Sequence, residues 1–199
     1  MPIRRFLGDE RGITSIEFVI VSTVFFMFIL GIFDFSRALW EWNKASKATQ
    51  AGVRFAVVSD MVSESWQTFN GVSITGVSAG DTVAVASFPL PNPTICTIAG
   101  CNGSAADLDP IAFAAIVDRM QRVFGRIAPA NVVVRYDYTS LGFAGNPVGP
   151  DIDPLVTVSL VGMQFRFLSL GLVGLDTINM PDFAATLSGE DHCDLGPCV

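Results

Sequence analysis

The carboxylate of Glu17 stands directly ahead of an uncharged apolar run, Phe18 to Phe33. A carboxylate at the bilayer centre costs roughly 2.5–3.5 kcal/mol on insertion scales, and less near an interface. At the mouth of a spanning segment Glu17 therefore needs either a positive partner or an outlet, the side chain snorkelling to the headgroup level. Four cysteines form the second chemical group, in two pairs of equal spacing, Cys96 with Cys101 and Cys193 with Cys198. Four cysteines allow three connectivities. Two local loops are the simplest, whereas a crossed arrangement closes longer loops and stabilises more. Glu190, Asp191, His192 and Cys193 together offer metal-ligand chemistry. Thiolate zinc sites usually carry closer-spaced pairs that stay reduced, and an oxidising compartment favours disulfides, so no metal is expected. His192 is the single histidine. A Ser/His/Asp arrangement thus has little to draw on, and no carboxylate pair is marked for acid–base work by its setting. The reading is non-enzymatic, with no catalytic residues, no cofactor and no small-molecule substrate.

The elements that position these groups start with the apolar run. It has sixteen residues, and Ile13–Ile16 extends it to about the twenty needed to span a bilayer. Arg4, Arg5 and Arg11 flank its N-terminal side, so that end is expected in the cytoplasm, with residues from about Asp34 onward across the membrane. A competing reading is a secretory signal peptide, because Ser36-Arg37-Ala38 loosely matches a small-x-small cleavage site that would start the chain at Leu39. Arginine inside that site and a helical pattern running through it count against this. The length suits one globular domain plus an anchor. The net charge of −7 argues against a nucleic-acid partner, and loss of residues 1–12 would make it one unit more negative.

The helix continues past the membrane run. Asp34, Arg37, Glu41 and Lys44 trace a charged stripe, and Phe35, Ala38, Leu39, Trp42, Ala45, Thr49, Val53 and Ala56 the opposite, apolar face. Neither proline nor a glycine pair interrupts it to about Val58, and Trp40 and Trp42 suit a membrane interface. Short strands are expected at Val72–Val77 and Thr82–Phe88, ended by Pro89, Pro91 and Pro93, with a loop carrying Cys96 and Cys101. Asp109-Pro110 reads as an N-cap and first-turn proline opening a helix to about Ile127. Its apolar face is taken as Ile111, Ala114, Ala115, Val123, Phe124 and Ile127, with Arg119, Arg122 and Arg126 as a solvated strip. Asn131–Tyr138 and Leu155–Met163 are the strongest strands, joined across a Gly/Pro/Asp loop. The first is expected to alternate more cleanly. Phe165–Phe167 would extend the second, and Phe183–Leu187 is a candidate last strand. The fold class is α+β: a long N-terminal membrane-spanning helix continuing as the spine of a small antiparallel-sheet domain with one extra helix.

Two resemblances sharpen this reading. Arg11-Gly12-Ile13-Thr14-Ser15-Ile16-Glu17-Phe18, with the upstream arginines, resembles a class III (prepilin-type) leader, which is cut on the cytoplasmic side after glycine. The same segment, the apolar run, Gly31–Trp40 and Ala51-Gly52-Val53-Arg54-Phe55-Ala56 resemble the TadE-like family. That resemblance implies a pilin-like fold and a minor pilin, or pseudopilin, of the tight-adherence (Flp) pilus system. It implies an inner-membrane anchor with its N-terminus cytoplasmic and its head periplasmic. A prepilin peptidase, other pilins and inner-membrane assembly components are the partners it brings. Processing would fall between Gly12 and Ile13, dividing the chain into a leader (1–12), an anchor and spine helix (13–58) and an extracytoplasmic domain (59–199). The new amine of Ile13 would then lie i to i+4 from Glu17, or meet Glu17 of a neighbouring subunit. The alternative is an uncleaved single-pass anchor whose external domain adheres to a surface or binds another protein.

Overall fold

The computed structural model describes residues 11–145 and 152–189. The first element is one uninterrupted helix, α1 (Arg11–Ala56), of 46 residues. Its length follows from the absence of any internal proline. The expected 13–58 differs from it by no more than helix ends ordinarily do. The described chain forms two compact units. One holds residues 11–41 and 164–179; the other holds 42–163 and the residues from 180 on, where described.

The larger unit is built on an antiparallel sheet in the order β2-β1-β3-β4-β7, from β1 (Thr94–Thr97), β2 (Gly100–Cys101), β3 (Val132–Asp137), β4 (Leu155–Leu160) and β7 (Phe183–Ser188). Val132, Val134 and Tyr136 alternate inward along β3, and Val156, Val158 and Leu160 along β4. The alternation of β4 is as regular as that of β3, contrary to expectation, because Thr157 and Ser159 take the outward positions between its apolar residues. Thr157 and Thr186 hydroxyls meet across β4 and β7 at 2.8 Å. The short helix α2 (Glu64–Gln67) buries Trp66, whose indole N–H donates to the Thr94 hydroxyl at 2.9 Å. Trp66, Phe88, Tyr136 and Tyr138 pack as one aromatic cluster.

The helix α3 (Pro110–Gln121) begins as its sequence dictates: the Asp109 carboxylate accepts from the N–H groups of Ile111 and Ala112, with Pro110 at the first helical position. Its face is rotated from the expected one. Ala112, Phe113, Ile116, Val117 and Met120 are buried, while Ile111 is 80% exposed. The stripe with the larger side chains takes the core, and the expected stripe was carried by two alanines. Phe124 and Ile127 are buried as expected, but in turns beyond the helix.

Two expected strands do not form. Val72–Val77 and Thr82–Phe88 lie in turns and one 3₁₀ turn, Val85–Ser87. Their backbone groups close locally, as in Ile74 N–H to Gly71 O and Ser87 N–H to Ala84 O, and Gly71, Gly76 and Gly80 have positive φ. Such local closure competes directly with ladder pairing. Conversely, the segment read as a cysteine-bearing loop is the β1–β2 hairpin. Phe165 belongs to neither β4 nor the large sheet. Gly162 turns the chain at φ 65°, and β5 (Gln164–Arg166) pairs with β6 (Thr177–Asn179) as a separate hairpin of the smaller unit.

Candidate functional site: the anchor helix and its carboxylates

Along α1 the apolar run is turned outward. Phe18 is 72% and Phe28 70% exposed, as are Val19, Ile20, Phe25, Phe26 and Phe33 in smaller measure. Apolar area of this extent on a water-soluble surface would be strongly unfavourable. Among the described residues α1 is the one helix long and apolar enough to cross a membrane, and its most apolar window is not buried within the chain. Glu17 is exposed at the head of that run. Gly12 and Ile13 lie within the backbone of α1. Residues 1–10 lie outside the described part of the chain.

The charged stripe is where the structure departs most from the sequence. Asp34 and Glu41 are buried, whereas Phe35, Leu39 and Trp42 of the expected apolar face are 62%, 48% and 44% exposed. The cause is a set of donors that arrives from far along the chain. One Asp34 carboxylate oxygen accepts from the Leu168 N–H at 3.2 Å. The other accepts from the N–H groups of Ser169 and Leu170, at 2.8 and 3.1 Å, and from the Ser169 hydroxyl at 2.7 Å. Three consecutive amides thus converge on one carboxylate, at the entry of the 3₁₀ turn Leu170–Val173. The Ser169 hydroxyl also reaches the Leu30 carbonyl, 3.1 Å away, one turn inside the apolar run.

Arg37 completes the arrangement. Its guanidinium lies 3.4 Å from Asp34 and 3.8 Å from Glu41, and stacks over Phe165 at 5.4 Å from the ring centre. Phe165 in turn meets Phe167 edge-on. Asp34, Arg37 and Glu41 of the charged stripe thus form a network that latches the β5–β6 hairpin to α1. The sequence offered one signal for it: Asp34 is the first charged residue after sixteen uncharged ones.

Further along, in the larger unit, the expected apolar face holds. Ala45, Ala48, Thr49, Gly52, Val53 and Ala56 are buried. The run of small residues has a packing reason at Gly52: a Cβ there would lie 2.8 Å from Met120 Cγ, 2.9 Å from its sulfur and 3.3 Å from a Val158 methyl. Trp42 meets Phe183 of β7 edge-on, ring centres 5.1 Å apart.

Cys96 and Cys101 are directly opposite across β1 and β2, disulfide-bonded and buried. Cys193, Cys198 and the acidic His192 cluster lie outside the described residues. Arg119, Arg122 and Arg126 are exposed, and Arg122 pairs with Asp118 at 2.7 Å.

Residues 12–54 match the family model described as TadE-like protein. The matched segment is the greater part of α1 and ends before the sheet begins. No curated protein and no solved structure matches the chain.

Proposed function

We propose that this chain is a minor pilin, or pseudopilin, of TadE type that supports assembly of a tight-adherence (Flp) pilus or a related secretion machine. The observation that carries the reading is the outward-turned apolar run with Glu17 at its head, on one unbroken helix within the segment that matches the family. In this reading a prepilin peptidase removes residues 1–12 between Gly12 and Ile13. The freed α-amino group, titrating ordinarily near pH 8, is positive at neutral pH. It pairs with the Glu17 carboxylate of its own helix or of a neighbouring subunit, and so neutralises both charges inside a hydrophobic helix bundle. Residues 13–58 act as anchor and spine. Residues 59–199 form the periplasmic domain, which meets other pilins and inner-membrane assembly components, with no catalytic role. Large exposed apolar side chains on the anchor suit helix packing.

The experiment is the N-terminus and intact mass of the membrane-fraction protein, with and without the cognate peptidase. A peptidase-dependent start at Ile13 supports the proposal. A start at Met1 supports a permanent anchor bearing an adhesion or protein-binding domain, and a start at Leu39 means secretion.

A further inference from the structure

We propose that the β5–β6 hairpin, residues 164–179, is a second membrane contact: a lobe that rests its turn in the headgroup–acyl boundary of the leaflet at the C-terminal end of the apolar run. The inference rests on the reading of that run as membrane-spanning. Three observations within the smaller unit carry it.

The latch fixes depth. Leu168, Ser169 and Leu170 are bound to Asp34, the residue directly after the run, and the Ser169 hydroxyl reaches back to Leu30. From Leu30 to Phe33 the helix rises about 4–5 Å. The turn is therefore level with the last turn of the spanning segment, and whatever surrounds that turn surrounds the lobe.

Two large apolar side chains are exposed on its turn. Leu168 is 64% and Leu175 58% exposed, with Asp176 exposed next to Leu175. The Leu168 N–H is bound to Asp34, the residue between the outward Phe33 and Phe35, so this apolar surface is held at the end of the lipid-facing run, and lipid is the occupant that fits it.

Its backbone is prepared for a poorly hydrated site. Irregular backbone at membrane depth is tolerated only when its polar groups are satisfied. Here Asp34 takes three successive amides, the Phe167 N–H donates to Asp176 O, the Gly174 N–H to Gly171 O and the Leu175 N–H to Leu170 O. The carboxylate is likewise satisfied, by four donors and Arg37.

The test places a photoreactive side chain, p-benzoylphenylalanine, at Leu168 or at Phe28 in the full chain. The protein is reconstituted in phosphatidylethanolamine–phosphatidylglycerol vesicles, and adducts are read by intact mass. Both positions are exposed, so neither change disturbs packing. Lipid adducts at both positions, of similar yield, support the proposal. Loss of most of the adduct at 168, but not at 28, when Asp34→Ala is added supports it further. Adduct at 28 alone overturns the lobe while leaving the anchor standing, as does cross-linking of 168 to a second copy instead of lipid. No adduct at either position overturns the anchor reading and the lobe with it.

Discussion

Gly52 is the position where the packing of α1 can be tested by magnitude. On an exposed helix, Gly→Ala stabilises by about 0.8–1.0 kcal/mol and Gly→Val by somewhat less, because both residues lose less chain entropy than glycine on folding. At Gly52 the added atoms meet Met120 and Val158, both fully buried, at 2.8–3.3 Å. Forcing extra methyl groups into a packed core costs about 1–3 kcal/mol. Alanine adds only the Cβ, but its closest neighbours are middle atoms of a fully buried methionine rather than its free end, so the cost offsets the propensity gain and can exceed it by up to about 2 kcal/mol. Valine adds two further methyls toward the same contacts with less propensity to offset them. The expected result is Gly52→Ala destabilised by about 0–2 kcal/mol and Gly52→Val by more than the alanine, about 1–3 kcal/mol. At about 2–4 °C per kcal/mol for a chain of this size, valine lowers Tm by about 2–12 °C. Near-UV circular dichroism of the full chain in detergent reads this, since Trp66 lies in the aromatic cluster of the same unit. Gly31→Val is the control, because a Cβ there meets nothing within 4 Å. A Gly52→Val protein as stable as the parent would refute the close approach of α1 to α3 and β4.

Glu17→Ala is expected to permit leader removal yet block incorporation, and sheared fibres carrying normal amounts of that variant would contradict the charge-pairing mechanism. Gly12→Leu should leave the precursor at full mass in cells that contain the peptidase; a mature-sized band would disprove the assigned cut. Tyr136→Phe removes the hydroxyl that accepts the Val62 N–H at 2.8 Å and leaves that buried donor unsatisfied, at about 1–3 kcal/mol; an unchanged Tm would show that water replaces it. Burial pushes the Tyr136 phenol well above its ordinary value near 10. Its contribution to stability is therefore complete below pH 10 and falls as pH rises further, since only the unfolded chain ionises freely there. Alkaline unfolding followed by phenolate absorbance should show Tyr136→Phe with the weaker pH dependence.

The legible parts of the fold were those set by local chemistry. The long helix was readable because nothing breaks it, α3 because Asp109-Pro110 caps it, and β3, β4 and β7 because apolar residues recur at period two. The β5–β6 hairpin was not readable, since a three-residue strand carries too little pattern and its separation from β4 turns on one glycine. The 72–88 segment failed in the opposite direction: its alternation is real, yet its backbone closes on itself. For the candidate site, Glu17 was marked by its place ahead of the apolar run and Gly12 and Ile13 by resemblance to a leader, whereas the burial of Asp34 did not stand out. Spacing places Asp34, Arg37 and Glu41 on one side of α1. Only donors 134 to 136 residues away determine that this side is covered.

That separation gives the latch a place in time. The helix α1 is synthesised first with Asp34 bare, and the amides that cover it follow 134 to 136 residues later. Closing so long a loop is slow compared with local structure. The state of one carboxylate thus reports whether the chain has been extended past Leu170. A chain truncated before Leu168 lacks all four donors and leaves the Asp34 carboxylate without them.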